Sequence, residues 1–192
     1  MKIRILAGAV AALAVLPCAA ALAAGTAADA ALFGKDPGQG KAYACYSRHY
    51  DAPHLAAHPK QNVREMTLFI DSSVDPDQGR QYSLGIGVNF RSLKKEFDVY
   101  GDCRSSVDGK KAFTCGVTCD GGRIDVDTAK TDAVMVSIPD GARTWDPDSE
   151  DEPPAQAHFG SDDTIFRLDR ADLKQCQSLM SVETKADLAK KK

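Results

Sequence analysis

Positive charge is scarce in this chain of 192 residues: 24 Lys and Arg stand against 27 Asp and Glu, a formal net charge of −3. A phosphate-binding face needs concentrated Lys and Arg, so no nucleic-acid partner is expected. The one basic cluster, "AKKK" at 189–192, reads as the end of a solvated tail over 181–192. After the leader there is no long apolar run, so no transmembrane anchor is expected in the mature chain. Catalytic signatures are missing as well. The sequence has no G-x-S-x-G elbow, no phosphate-cradling glycine loop, no H-E-x-x-H and no C-x2-C pair. These absences favour a binding role over an enzyme.

What is present starts at the N-terminus. Lys2 and Arg4 precede the apolar run "ILAGAVAALAVL", and an A-x-A site follows at Ala21 and Ala23. A charged start, a short apolar core and small residues at the cleavage site predict a secretory signal peptide over 1–24. Cys18 offers a lipoprotein alternative, but Pro17 stands where a lipobox needs a small residue. Cleavage predicts a mature chain of 192 less 24, or 168 residues, forming one periplasmic or secreted domain. The expected layout is a flexible segment over 25–40, a single domain over 41–180 and the basic tail.

The body of the chain alternates apolar and polar residues with a period of two. In "QYSLGIGVNF", Tyr82, Leu84, Ile86, Val88 and Phe90 share one face. Gly85 and Gly87 share the other, where they allow close sheet packing or curvature. The same alternation runs through "KAYACYS", "REMTLFI", "KEFDVYGDC", "AFTCGVTC", "GRIDVDT", "DAVMVSI" and "TIFRLDR", giving eight strands. Short turn sequences such as "DPDQG", "VDGK" and "CDGG" join them, so an antiparallel meander is expected. Helical spacing is confined to "DAPHLAAH" and "DRADLKQCQSLM", the second capped at Asp169 or Arg170. The predicted fold is all-β, a small barrel with a C-terminal helix, with a two-sheet β-sandwich as the alternative. This layout is similar in outline to lipocalin-like barrels, a likeness of architecture alone.

Five cysteines follow the leader, an odd number in a compartment where disulfides persist. Cys115 and Cys119 lie on one straight strand, ~13 Å apart, too far to bond. A three-residue turn at Asp108, Gly109 and Lys110 would place Cys103 opposite Cys115, which predicts that bridge. Cys176 is then expected to meet Cys45, tying the last helix to the first strand. Cys119 is left as a thiol on the inward face; Asp120 beside it makes redox chemistry a poor reading.

The stretch "CYSRHYDAPHLAAHP" holds His49, His54 and His58. His54 and His58 are four apart on a short helix that Asp51 would cap, a spacing that can present two imidazoles to zinc or another transition metal. His49, with Cys45 or His158, would complete the set. Pro59 works against it by steering His58 out of helical geometry. The loop over 139–163 is long for a compact domain. Its acids Asp146, Asp148, Glu150, Asp151 and Glu152 could offer oxygens to calcium, but the spacing does not match an EF-hand loop. It also carries Trp145, the only tryptophan, which serves either as a partner contact or as a plug over the barrel end.

The functional expectation is an exported, non-enzymatic binding protein. Its partner would be a small apolar ligand in the barrel, or an envelope protein held through the loops and through Trp145, His54 and His58. The second would include inhibition of an envelope-directed enzyme. The alternatives are a histidine-based metal-binding envelope protein and a hydrolase with a site assembled from distant strands. No cofactor is expected under the leading reading.

Overall fold

The computed structural model of the chain describes residues 27–105, 112–129 and 132–190. The leader reading falls on residues outside this range, as do the turn at 108–110 and the last two lysines. Eight strands form a closed antiparallel barrel in chain order: β1 (Ala42–His49), β2 (Val63–Asp75), β3 (Gly79–Phe90), β4 (Glu96–Ser105), β5 (Phe113–Val117), β6 (Arg123–Ala129), β7 (Ala133–Ser137) and β8 (Ile165–Arg170). This is the expected barrel and not the sandwich. Each predicted strand segment is present, because alternation on a wrapped sheet leaves one side to the interior and one to water. The barrel closes where Tyr46 and Ser47 of β1 face Arg170 and Asp169 of β8.

One continuous apolar cluster fills the lumen. Val63, Met66, Leu68, Ile86, Val88, Phe90, Phe97 and Val99 are all fully buried. A void large enough for water beside any of them would give it exposed surface, so no such void adjoins these residues. An eight-stranded barrel has an interior just wide enough for its own side chains to fill. The expectation of an apolar ligand carried in the lumen therefore finds no space against these residues.

Both mouths are closed by segments that sequence periodicity did not place. At one end, α1 (Ala27–Phe33) buries Leu32 and Phe33. Tyr46 donates to the Leu32 carbonyl at 2.6 Å, and Tyr82 donates to Asp29 Oδ1 at 2.6 Å. Within the stretch expected as a lead-in, α1 thus packs on the core through Leu32 and Phe33, while residues 34–40 lie mostly at the surface. At the other end, the 139–163 loop folds back over the barrel. Phe159 packs against Phe90 and Phe166 with ring centroids 5.9 and 6.3 Å apart. The buried Asp163 carboxylate accepts from the backbone N–H groups of Asn62, Val63 and Gly160.

The C-terminal region also differs from expectation. A 3-10 helix, Leu173–Leu179, is capped by Asp172, whose side chain accepts from the Lys174 N–H. Asp169 and Arg170, expected to cap this helix, instead end β8, three and two residues before the cap itself. A further helix, α3 (Val182–Lys190), occupies the expected tail. Leu188 packs on the barrel wall, Tyr43 donates to Asp187 at 2.8 Å and Lys41 pairs with Glu183 at 2.6 Å. Among the described residues no helix is long and apolar enough to cross a membrane.

Two disulfides are present, Cys45–Cys176 and Cys103–Cys115. They mark a chain that matures in an oxidising environment. Ser105 faces Phe113 and Cys103 faces Cys115, the register that a three-residue turn requires. Cys119 is free but not inward-facing: β5 ends at Val117, and Cys119 and Asp120 turn away at φ 55° and 54°. The thiol is exposed, which corrects its predicted place on the buried face.

Candidate functional site

Two recesses lie outside the barrel, along the outer face of β3 and β4. Two glycines shape this wall. A Cβ at Gly85 would stand 3.3 Å from the Leu179 Cβ, and one at Gly87 would stand 2.6 Å from the Glu96 carboxyl carbon. Gly85 thus lets the 3-10 helix approach the sheet, and Gly87 lets the Glu96 side chain lie across it. The strap formed by the 3-10 helix is fixed by the Cys45–Cys176 bridge and a small apolar cluster of Phe69, Leu179 and Met180.

Between strap and sheet runs a groove of about 400 Å³, lined by Asp71, Ser83, Gly85, Tyr100, Asp102, Thr118 and Ser178–Ser181. A second recess of about 530 Å³ adjoins it, lined by Asp98, Tyr100, Thr118, Trp145, Asp146, Pro147 and Ser178. The two share Tyr100, Thr118 and Ser178, so they form one trough centred on Tyr100. Tyr100 is 39 % exposed, a large ring left open to water.

The trough is acidic, and its carboxyls are not at ease there. Asp98 is only 3 % exposed. Tyr100 donates to its Oδ2 at 2.6 Å, while Oδ1 is buried with no hydrogen-bond partner. Burial raises the Asp98 pKa, with the charge of Asp148 adding to the effect and the Tyr100 hydroxyl opposing it. Burial likewise raises Glu96, aided by Asp98 and Glu65 and opposed by Ser178, which donates to Glu96 Oε1 at 3.1 Å. Asp71 is raised by burial and partly relieved by the Ser83 hydroxyl. The Tyr100 hydroxyl is pushed up by burial and then by Asp98. At the rim, a hydrogen bond from Lys95 holds the Asp146 carboxyl below its ordinary value.

Hydroxyl–carboxylate pairs of this kind suit recognition better than nucleophilic catalysis. A carboxylate without an intervening imidazole is a weak base towards an alcohol, and neither Ser83 nor Ser178 has a histidine hydrogen-bonded to it among the described contacts.

Of the residues singled out by sequence, Trp145 belongs to this trough. Its backbone pairs with Asp98 in both directions, at 2.9 and 2.7 Å, extending the sheet beside β4. Its half-buried ring lies under the Arg143 guanidinium, 5.6 Å from the centroid, and packs on the core. It is both wall and partial plug.

The histidines sit elsewhere. Asp51 caps α2 (Ala52–Ala57), accepting from the His54 N–H. His58 leaves helical geometry at φ −119°, ψ 72°, yet its ring still stacks on His54 with centroids 4.5 Å apart. Pro59 therefore alters the His58 backbone without parting the rings. His54 is also bonded to Gln61 at 3.0 Å, His49 lies beside Glu65, and His158 bonds the Ala155 carbonyl. Cys45 is in a disulfide. Among the described residues no three His, Cys, Asp or Glu side chains are grouped to hold a metal ion, on this turn or in the acidic loop.

Sequence reasoning missed Glu96, Asp98, Tyr100 and Ser178. The signal was the polar side of "KEFDVYGDC": three acids and a tyrosine in alternate positions, paired with the glycine-rich side of β3. Compared with protein-family models, curated proteins and solved structures, the chain matches none.

Proposed function

We propose that this is an exported, non-enzymatic binding protein that engages a partner protein of the cell envelope or its surroundings through the trough centred on Tyr100. The single observation that carries the reading is the contrast between a lumen packed with side chains and an open, polar trough with an exposed aromatic at its centre. Exposed aromatics beside well-packed walls are favoured anchors in protein interfaces. Two disulfides, one of them fixing the strap that forms a wall of the trough, keep the surface ordered before it meets a partner. Preorganisation of this kind lowers the entropic cost of association.

A photo-crosslinking residue placed at Tyr100 of the full chain tests the reading. Illumination in cells is expected to give one discrete adduct, identifiable by mass spectrometry. The control position is Ile165, 61 % exposed on β8, four strands away around the barrel. No adduct at 100, or the same adducts from both positions, would sink the proposal.

A further inference from the structure

The trough holds one polar atom that the fold leaves unanswered. Asp98 Oδ1 is buried and unpartnered, although Asp98 lines the recess beside Tyr100 and Trp145. A buried acceptor without a donor is costly, and native proteins carry few of them. Such a cost persists where a ligand recovers it.

We infer that the trough accepts an arginine side chain of a partner protein, its guanidinium seated on the Asp98 carboxylate where Tyr100 and Trp145 line the recess. Three features select that chemistry. First, Oδ1 is free and Oδ2 accepts a single bond, from Tyr100, so the carboxylate can take a forked pair of N–H donors. Second, the exposed Tyr100 ring suits a planar, weakly hydrated cation better than a compact ammonium, while the Trp145 ring beside it already carries the Arg143 guanidinium on one face. Third, the surrounding charge is negative: Glu96 precedes Asp98 on the same face of β4, and Asp148 acts on Asp98 from the loop. The nearby cations are already engaged, Lys95 by Asp146 and Arg143 by Glu152. Oδ1 is closed to water as folded, so entry requires the side chains that cover it to move.

This inference rests on the trough being a docking surface, and its test is separable from that reading. Trp145 is the only tryptophan, so its fluorescence reports the recess alone. The full chain is titrated with the blocked peptide acetyl-Gly-Arg-Gly-amide and with its citrulline counterpart, which has the same shape and no charge. The arginine peptide is expected to change the Trp145 signal saturably and to bind at least tenfold more tightly than the citrulline one. Asp98→Asn is expected to remove that preference while its near-ultraviolet circular dichroism stays native. Equal binding of the two peptides to the unaltered chain overturns the inference, and that comparison does not depend on whether the variant folds. A folded Asp98→Asn that keeps the preference overturns it too. If position 100 still crosslinks to one partner in either case, the docking surface stands and only the arginine assignment falls.

Discussion

Asp98 shows how one side chain can be poorly served by the fold that holds it. Its backbone is fully used, the N–H donating to the Trp145 carbonyl and the carbonyl accepting from the Trp145 N–H, while half of its carboxylate has no donor. A carboxyl whose pKa is raised on folding binds its proton more tightly in the folded chain. Its contribution to stability is therefore full below the ordinary carboxylate range and is lost as pH rises through the raised value. Asp98→Asn keeps an acceptor for Tyr100 and removes the charge. The variant is expected to be more stable than the parent at pH 7, because it removes the buried charge, with the difference shrinking as pH falls into the ordinary carboxylate range. Urea unfolding at pH 7 and within that range reads this directly. A variant that is less stable at both would show that the charge is satisfied after all. Gly101 makes a related point about residues: a Cβ there would lie 2.4 Å from the Gly116 carbonyl oxygen, so only glycine lets β4 and β5 come this close.

The two disulfides act on different elements. Cys103–Cys115 joins neighbouring strands that already pair, closing a sequence separation of 12. Cys45–Cys176 closes a separation of 131 and holds the 3-10 strap against β1. Chain entropy in the unfolded state predicts about 3 kcal/mol for the short loop and about 5 kcal/mol for the long one. Cys45→Ala with Cys176→Ala is therefore expected to lower Tm more than Cys103→Ala with Cys115→Ala, by calorimetry. It should also loosen the strap and quench any response of the trough to ligands, whereas the short-loop pair should leave that response in place. The reverse order would mean that the strap is held chiefly by Phe69, Leu179 and Met180. The strap itself was half legible in the sequence. The i, i+3 spacing of Leu173 and Cys176 was visible, but the 3-10 form was not, because that spacing is shared by α and 3-10 helices.

At the scale of the whole molecule, the barrel is a solid body with its open trough outside. A fatty acid such as palmitate added to the folded protein is expected to leave Tm unchanged, since a ligand held in the lumen would raise it. Phe97→Ala, which would open a void inside, is expected to cost about 3–5 kcal/mol in urea unfolding. A rise in Tm with palmitate would return the lumen to consideration. The charge pattern fits the solid-body view: Asp71, Glu96, Asp98 and Asp102 lie on the outer sides of β2 and β4, and the interior holds apolar side chains from every strand.

Two-residue alternation was enough to define eight strands, their inward faces and the Cys103–Cys115 pairing, because side-chain direction along a strand is fixed by backbone geometry alone. The turn chemistry between strands added their antiparallel order. The closure of the two ends by α1 and the 139–163 loop, the exposure of Cys119 and the stacking of His54 on His58 were decided only by the tertiary structure. So was the trough. Its walls come from the neighbouring strands β3 and β4 and from two segments distant in sequence, the loop at Trp145 and the strap at Ser178. Burial of the Asp98 carboxylate exists only once all four have been brought together, since desolvation is a property of the assembled surroundings and not of the residue.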